Sequence, residues 1–286
     1  MSKVIITADS TSDLSNELVL KNNVNIVPLF VNLGDKSLRD DGVEVVPDDI
    51  YEYVSETGKL PFTSANPTGL YMDVFTKYVN DGFEVVHLNI GSDLSSSYQN
   101  ACIAAEEVGN VYVVDTKNLS TGSGHLVLRA AEMAAQGLSG KEIFDKLNEL
   151  APKVDASFVI DNLDYLHKGG RCSSVAKLGA NLLKLKPCIQ VLNGKMGVGK
   201  KYRGDYNKCV VEYIKDKLSD VDSIDTSRIF VTHTKCDDAT VKAAIDTVNS
   251  LIKFDEVIET TAGCTITTHC GPNTLGILFF RKENLQ

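Results

Sequence analysis

Short apolar runs rich in β-branched residues alternate with helical patterns along the first half of the chain. A polar segment rich in glycine, serine, threonine or asparagine follows each run. The predicted strands are 4–7, 24–31, 83–89 and 111–114, and the predicted helices are 14–20, 50–55, 95–108, 124–136 and 141–150. This alternation predicts a mostly parallel, Rossmann-like sheet with helices on both faces.

The second half has a different pattern, in which antiparallel pairing is expected. Asn193-Gly194 lies between two strand-like runs, 187–192 and 195–202, and is a strong signal for a two-residue β-hairpin. The other predicted strands are 154–160, 229–234, 256–260 and 274–280, and the helices are 206–218 and 239–252. We therefore predict an α/β fold with an N-terminal α/β domain at 1–155. A C-terminal mixed-sheet α/β domain would follow at 156–286, with its hairpin near 188–203.

The composition is that of an ordinary folded protein, and it narrows the classes of function. The 29 Lys+Arg and 38 Asp+Glu residues give a net charge of −9, which is the wrong sign for binding nucleic-acid phosphates. No apolar run approaches the roughly 18 to 20 residues that a membrane-spanning helix needs, so a cytoplasmic location is expected. The seven cysteines include no C-x-x-C pair, which favours free thiols over a disulfide framework or a zinc ribbon.

Neither nucleotide nor metal binding is supported by a complete motif. Residues 194–201 have the P-loop spacing, but Lys201 stands where a P-loop needs a hydroxyl for magnesium. A hairpin is therefore favoured over a phosphate cradle. The five histidines are far apart in sequence, and nothing in the sequence asks for a metal. No cofactor and no metal are expected.

Four hydroxyl-rich segments recur where predicted elements meet, at 9–13, 63–66, 92–97 and 267–272. Each segment alone is also explained by helix capping, and that interpretation stays open. Open α/β sheets bind ligands outside the carboxyl ends of their strands, where such segments collect. Together the four segments therefore indicate a site for a carboxylate or phosphate. His269 belongs to this group, in a stretch that we expect to be a loop.

Two basic clusters form a second polar group, at 168–171 and 200–204. A solvated turn and an exposed strand explain them as well as a function does. On an acidic protein, however, local positive charge suits a phosphate or an acidic partner. Both interpretations stay open.

Motifs along the whole chain are similar to those of a known family. Residues 9–14 (DSTSDL) resemble its D-S-T-x-D-L signature, and 27–29 its V-P-L strand. Residues 63–67 (TSANP) and 92–99 (SDLSSSYQ) resemble T-S-Q-P and S-x-L-S-G-T-Y-Q. Residues 166–171 (LHKGGR) resemble L-x-K-G-G-R, followed by Lys186-Pro187 and Arg203-Gly204, and 269–276 (HCGPNTLG) resemble H-T-G-P-G-x-x-G. In order and spacing, the chain resembles the DegV family of bacterial fatty-acid-binding proteins.

The resemblance implies two α/β domains with a long-chain fatty acid, such as palmitate, buried in a tunnel between them. Thr63, Ser95 and His269 would bind its carboxylate, with Ser64 and Ser96 near the head group. Arg171 and Arg203 match the basic positions expected near the exit of the head group or near a docked partner.

The resemblance further implies a carrier that is not itself an enzyme. A separate ATP-dependent fatty acid kinase would bring ATP and magnesium and make an acyl phosphate for phospholipid metabolism. No nucleic acid and no transmembrane segment belong to this account, and contact with a membrane would be transient. Two alternatives stay open. One is a stand-alone acyl hydrolase or transferase that uses Ser95 with His269 as base, and the other is a lipid-responsive sensor.

Overall fold

The computed structural model of the chain describes residues 3–174 and 185–283. Its strands are β1 (Lys3–Asp9), β2 (Val24–Val27), β3 (Phe30–Leu33), β4 (Lys36–Arg39), β5 (Phe62–Ser64), β6 (Phe83–Asn89), β7 (Val111–Asp115), β8 (Val154–Ile160), β9 (Leu185–Leu192), β10 (Lys195–Arg203), β11 (Ile224–His233), β12 (Glu256–Thr261) and β13 (Thr274–Arg281). Its helices are α1 (Asn16–Lys21), α2 (Pro47–Thr57), α3 (Thr68–Asn80), α4 (Ser97–Val108), α5 (Ser120–Ala135), α6 (Gly140–Leu150), α7 (Asp164–Gly169), α8 (Tyr206–Lys217), α9 (Asp238–Leu251) and α10 (Cys264–Cys270).

The N-terminal half contains the predicted parallel sheet, with strand order β2-β1-β6-β7. Alternate residues of its strands face opposite layers of helices. Ile5 and Val85 pack with α3 and α4, whereas Ile6 and Val86 pack with α5 and α6. Because both faces are covered, the strands carry apolar residues on both faces, as parallel strands usually do.

The second half forms a mixed six-stranded sheet in the order β10-β9-β8-β13-β11-β12. Only the β11–β12 pair is parallel among the pairings described in this sheet. One face packs on α8 and α9, and the other packs on α5. Helix α5 therefore lies between the two large sheets, which explains why most of its residues are buried.

The hairpin prediction is confirmed. β9 and β10 pair antiparallel, with Leu192 opposite Lys195. Asn193 and Gly194 have φ of 49° and 83°, as a type I′ turn requires of both central residues. The chain turns back into a strand here, so the glycine-lysine spacing of 194–201 does not open a helix over a phosphate.

Several predicted elements were wrong in extent or were missed. The strand predicted over 24–31 is two strands, because Pro28, which has no N–H to donate, separates β2 in the parallel sheet from β3 in a small β4-β3-β5 sheet. Helices predicted from 95 and 124 begin at Ser97 and Ser120. Helix α3 and strands β4 and β5 were not predicted.

The stretch around His269, expected to be a loop, is helix α10, and only residues beyond Cys270 leave it. The proposed division into 1–155 and 156–286 stays a prediction. Strand β8, the first of the six-stranded sheet in chain order, begins at Val154, so this division would fall inside it.

Candidate functional site

An outer cavity of about 710 Å³ lies at the carboxyl end of the parallel sheet, beside α10 of the second half. Polar residues from β5, from the β6–α4 loop and from α10 share its wall with apolar side chains, among them Ile90, Leu94, Leu166 and Ile266.

An inner cavity of about 400 Å³ adjoins the outer cavity. The two cavities share Leu119, Ile266 and Cys270 as lining residues, so they are neighbours across these side chains. The inner cavity reaches over the six-stranded sheet, where Ala156 and Leu278 line it. Together the cavities follow a path from a polar mouth to the packed interior between the two halves.

The hydroxyl groups around the inner cavity are bonded to one another or to other groups of the protein. Thr232 Oγ1 lies 2.6 Å from Thr121 Oγ1 and 2.8 Å from Thr260 Oγ1. Ser157 Oγ lies 2.9 Å from the hydroxyl of Tyr213. These polar atoms are satisfied within the protein, and the inner cavity offers mainly hydrocarbon surface to a ligand.

Six of the seven predicted site residues line the outer cavity. Thr63 and Ser64 come from β5, Ser95 and Ser96 from the β6–α4 loop, and His269 from α10, with Arg171 just after α7. The remaining residue, Arg203, lines neither cavity.

His269 is half-buried and bonded to Thr63, with 2.9 Å between His269 Nε2 and Thr63 Oγ1. Burial, followed by the nearby positive charge of Arg171, lowers the pKa of His269 to about 4. The imidazole is therefore neutral at pH 7. Any ionic attraction for a carboxylate at this point comes from Arg171, and His269 acts through its hydrogen bond to Thr63.

The other ring nitrogen of His269 identifies the favoured tautomer. Nδ1 is buried and has no hydrogen-bond partner among residues 3–174 and 185–283. A buried N–H without an acceptor is rarer than a buried acceptor without a donor. We therefore place the proton on Nε2, which then donates to Thr63 Oγ1. The hydroxyl proton of Thr63 is left free to donate to a ligand.

Gly169 explains how the ring of His269 is held against α7. A Cβ atom at position 169 would lie 2.5 Å from His269 Nδ1, so only glycine fits this approach. The carbonyl oxygen of Gly169 accepts a hydrogen bond of 2.6 Å from Arg171 Nη1. The KGGR segment therefore links the cation at the cavity to the imidazole.

Ser95 combines a capping role with a place at the cavity. Its Oγ accepts a hydrogen bond from the backbone N–H of Ser97, at 3.2 Å, and lies 3.0 Å from Ser97 Oγ. The serine therefore helps to cap α4. Because a hydroxyl accepts and donates at once, Ser95 can still donate to a ligand in the outer cavity.

Asp13 of the N-terminal motif and Asp40 hold α10 in place, a role that sequence analysis missed. Asp13 Oδ1 accepts from the amide of Gly263 at 2.8 Å. Asp40 accepts from the amides of Cys264 and Thr265, each at 2.9 Å. These carboxylates satisfy amides that a helix start leaves without partners, and they fix the helix that carries His269.

Burial raises the pKa of Asp13 to about 8, and the neighbouring charge of Asp40 adds to the shift. Hydrogen bonds from Ser120 and Gly263 lower the pKa of Asp13. Desolvation of the charged form is the larger effect. Asp13 is therefore mostly protonated at pH 7 while it accepts from Gly263.

Asp9, the first residue of the motif, supports the β6–α4 loop. It accepts hydrogen bonds from the Ile90 amide at 3.1 Å and from the Tyr71 hydroxyl at 2.8 Å. Asn89 donates to the same carboxylate at 3.0 Å. Residues 9–13 thus position the elements around the outer cavity and do not line it.

Arg171 and Arg203 are not brought together. Met196 lines the outer cavity at the start of β10, whereas Arg203 is exposed at the far end of that strand. At about 3.3 Å per residue, this strand places Arg203 on the order of 20 Å from the cavity. Of the two arginines, Arg171 is the one that lines the outer cavity.

The arrangement does not support a hydrolytic triad in the described part of the chain. Ser95 Oγ is bonded to Ser97, and His269 Nε2 is bonded to Thr63. No carboxylate orients His269 Nδ1 among the described residues. A histidine whose pKa is about 4 is also a poor base at neutral pH.

No group of three or more His, Cys, Asp or Glu side chains that could hold a metal ion occurs within 3–174 and 185–283. In that part of the chain, none of the helices has the length and apolar character needed to cross a bilayer.

The chain is similar to proteins of one family over nearly its whole length. The model of a family described as uncharacterised proteins, the DegV family, matches residues 3–282. A fatty acid-binding protein of Thermotoga maritima is 34% identical, with 96% of each chain covered.

Two solved structures extend the comparison to the fold. One concerns fatty acid binding of a DegV family protein from Thermus thermophilus. It is 30% identical and has a TM-score of 0.89, covering 98% of this chain and 99% of that one. A stearic acid-binding protein from Eubacterium ventriosum is also 30% identical, with a TM-score of 0.84 and 99% of each chain covered. By sequence and by fold, the chain belongs to the DegV family.

Proposed function

We propose that this protein is a cytoplasmic carrier of a long-chain fatty acid, with the carboxylate in the outer cavity and the acyl chain in the inner cavity. The observation that carries the proposal is that the two cavities adjoin across shared lining residues. A mouth with Thr63, Ser95 and His269 adjoins an interior whose hydroxyls are already paired. A ligand with one anionic end and a long apolar tail matches both parts. The relatives named above, which bind fatty acids, support the same ligand class.

The apolar tail would supply most of the binding free energy. At about 0.8 kcal/mol per buried methylene, a 16-carbon chain gains on the order of 10 kcal/mol before the costs of ordering are deducted. The head-group bonds add less, because a carboxylate exchanges its hydrogen bonds with water for those of the protein. Their role is to fix which end of the ligand faces the mouth.

The experiment is denaturing extraction of the purified protein, followed by mass spectrometry of the released molecules. A second sample is delipidated and offered palmitate before extraction. We expect about one fatty acid per chain in both samples. Protein that neither carries nor takes up a fatty acid refutes the proposal.

We further propose that a separate ATP-dependent kinase acts on the presented carboxylate. A carboxylate oxygen would form a bond to the γ-phosphorus of ATP, and the bond from that phosphorus to the β-phosphate oxygen would break, releasing ADP. Arg171 lies beside the head group, whereas the exposed Arg203 lies on the order of 20 Å away and suits contact with the kinase.

The kinase proposal is tested with Arg203→Ala. The variant should take up palmitate like the wild type but lose phosphorylation of the bound lipid by an added fatty acid kinase. Equal loss of uptake and phosphorylation would contradict a docking role. Turnover of acyl esters without any partner would instead support the hydrolase alternative.

A further inference from the structure

Thr265 is a polar residue of the outer cavity that the sequence motifs did not indicate. It lies in the first turn of α10, four residues before His269, so the two side chains are on one face of the helix. The residue lines the outer cavity and is only 3% exposed. Its backbone is held in place, because its N–H donates a hydrogen bond to the carboxylate of Asp40.

The hydroxyl of Thr265 is buried and makes no hydrogen bond within the described residues. Threonines in helices commonly donate to a carbonyl one turn earlier, as Thr247 does to Ala243 at 2.7 Å. Thr265 does not do so. A buried hydroxyl without a partner destabilises a protein, so a cavity-lining hydroxyl of this kind points to a bond made with a ligand.

We infer that Thr265 Oγ1 donates a hydrogen bond to the carboxylate of the bound lipid, and that this residue helps to select free acids over uncharged lipids. The inference rests on the proposed function. The hydroxyl groups of Thr63 and Ser95 each already make a hydrogen bond within the protein. An ionised carboxylate accepts at about four lone-pair positions, so a third hydroxyl donor completes its surroundings. An ester or an alcohol offers no such charge to the same hydroxyl.

Thr268 provides a matched control on the same helix. Its hydroxyl is also buried and also makes no hydrogen bond among the described residues, but it does not line the outer cavity. Replacement of either threonine by valine keeps the shape and removes only the hydroxyl. Removal of an unpaired buried hydroxyl is neutral or stabilising, so neither variant should melt below the wild type without ligand.

The test measures binding of palmitate and of hexadecanol to delipidated wild type, Thr265→Val, Thr268→Val and Thr265→Ser. We expect Thr265→Val to bind palmitate about ten- to a hundredfold more weakly, the range for losing a bond to a charged group. Its affinity for hexadecanol should stay within about threefold, since an ordinary hydrogen-bond loss is small. Thr268→Val and Thr265→Ser, which keeps the hydroxyl, should bind palmitate like the wild type.

Several outcomes overturn the inference. One is palmitate affinity of Thr265→Val within twofold of the wild type, and another is an equal loss for palmitate and hexadecanol. Thr265→Ser that binds palmitate at least tenfold more weakly than the wild type also overturns it, and this comparison holds even if the valine variant fails to fold. A wild type that binds no palmitate refutes the proposed function itself and is thereby distinguished from failure of this inference alone.

Discussion

The inner cavity predicts that one added side chain will set the length of acyl chain that the protein accepts. Ala156 lies on β8, is buried, and lines this cavity of about 400 Å³. Ala156→Leu adds three carbons there. They take the space of about three methylenes of a long ligand, which corresponds to about 2.4 kcal/mol, or roughly a fiftyfold loss of affinity.

The assay is isothermal titration calorimetry of delipidated protein with saturated fatty acids of increasing length. Acids of about 10 carbons, which fill the outer cavity first, should bind Ala156→Leu and wild type alike. Acids of about 16 to 18 carbons should lose affinity by the calculated factor. Ala135→Leu, at the exposed end of α5, is the matched control and should change neither.

The result that would refute this reasoning is a loss that is the same at every chain length, or no loss for the longest acids. The first would mean that the substitution acts through general destabilisation, because overpacking a filled core costs about 1 to 3 kcal/mol. The melting temperature of the ligand-free variant shows whether the substitution destabilises the protein in this way. The second would mean that the acyl chain lies elsewhere.

Two further predictions concern the residues that position the site. Asp13 has a pKa of about 8 in the folded state and 3.8 as its ordinary value, so its stabilising contribution is complete below about pH 4 and is lost as pH rises toward 8. Relative to Asp13→Asn, the wild type should lose about 1.4 kcal/mol of unfolding free energy per pH unit between pH 5 and 7, measured by urea titration. If the unfolding free energies of the two proteins changed in parallel with pH, the burial of the Asp13 carboxyl group would be contradicted. Gly169→Ala would place a methyl group 2.5 Å from His269 Nδ1 and should lower palmitate affinity at least fivefold in the same calorimetric assay. Gly69→Ala, with nothing within 4 Å of the added carbon, is its control, and equal affinities of the two variants would show that the ring need not lie against α7.

The strands of both large sheets followed from local patterns. Runs such as 83–89 and 154–160 carry apolar residues on both faces, because helices cover both faces of their sheets. The Asn193-Gly194 hairpin also followed from two residues alone, since few dipeptides adopt positive φ at both positions. These features depend on neighbours in sequence, which is why a sequence can show them.

Helix α10 shows what local patterns miss. Its sequence, CTITTHC, is rich in threonine and poor in strong helix formers, so propensity favours a loop. Its start is held by Asp13 and Asp40, and Asp13 is 250 residues away from Gly263 in sequence. A contact of this range leaves no trace in a local window. The acidic residues of the DSTSD segment were visible, but their partners were not.

The sequence indicated residues of the candidate site, but it did not indicate their distances or their protonation. Thr63, Ser95 and His269 do line one cavity. The sequence did not show the distance from Arg203 to that cavity, because this distance depends on the length of β10. It also did not show that Thr265 lines the cavity. The neutral state of His269 depends on burial, which sequence does not give.

The most direct test of the central claim is nuclear magnetic resonance of delipidated protein titrated with palmitate labelled with carbon-13 at its carboxyl carbon. The account predicts one bound resonance that saturates at one palmitate per chain. This resonance should shift in Thr63→Val and His269→Gln and should be unchanged in Ala135→Leu. Absence of a bound resonance, or a bound resonance that none of these substitutions moves, would contradict a carboxylate held in the outer cavity.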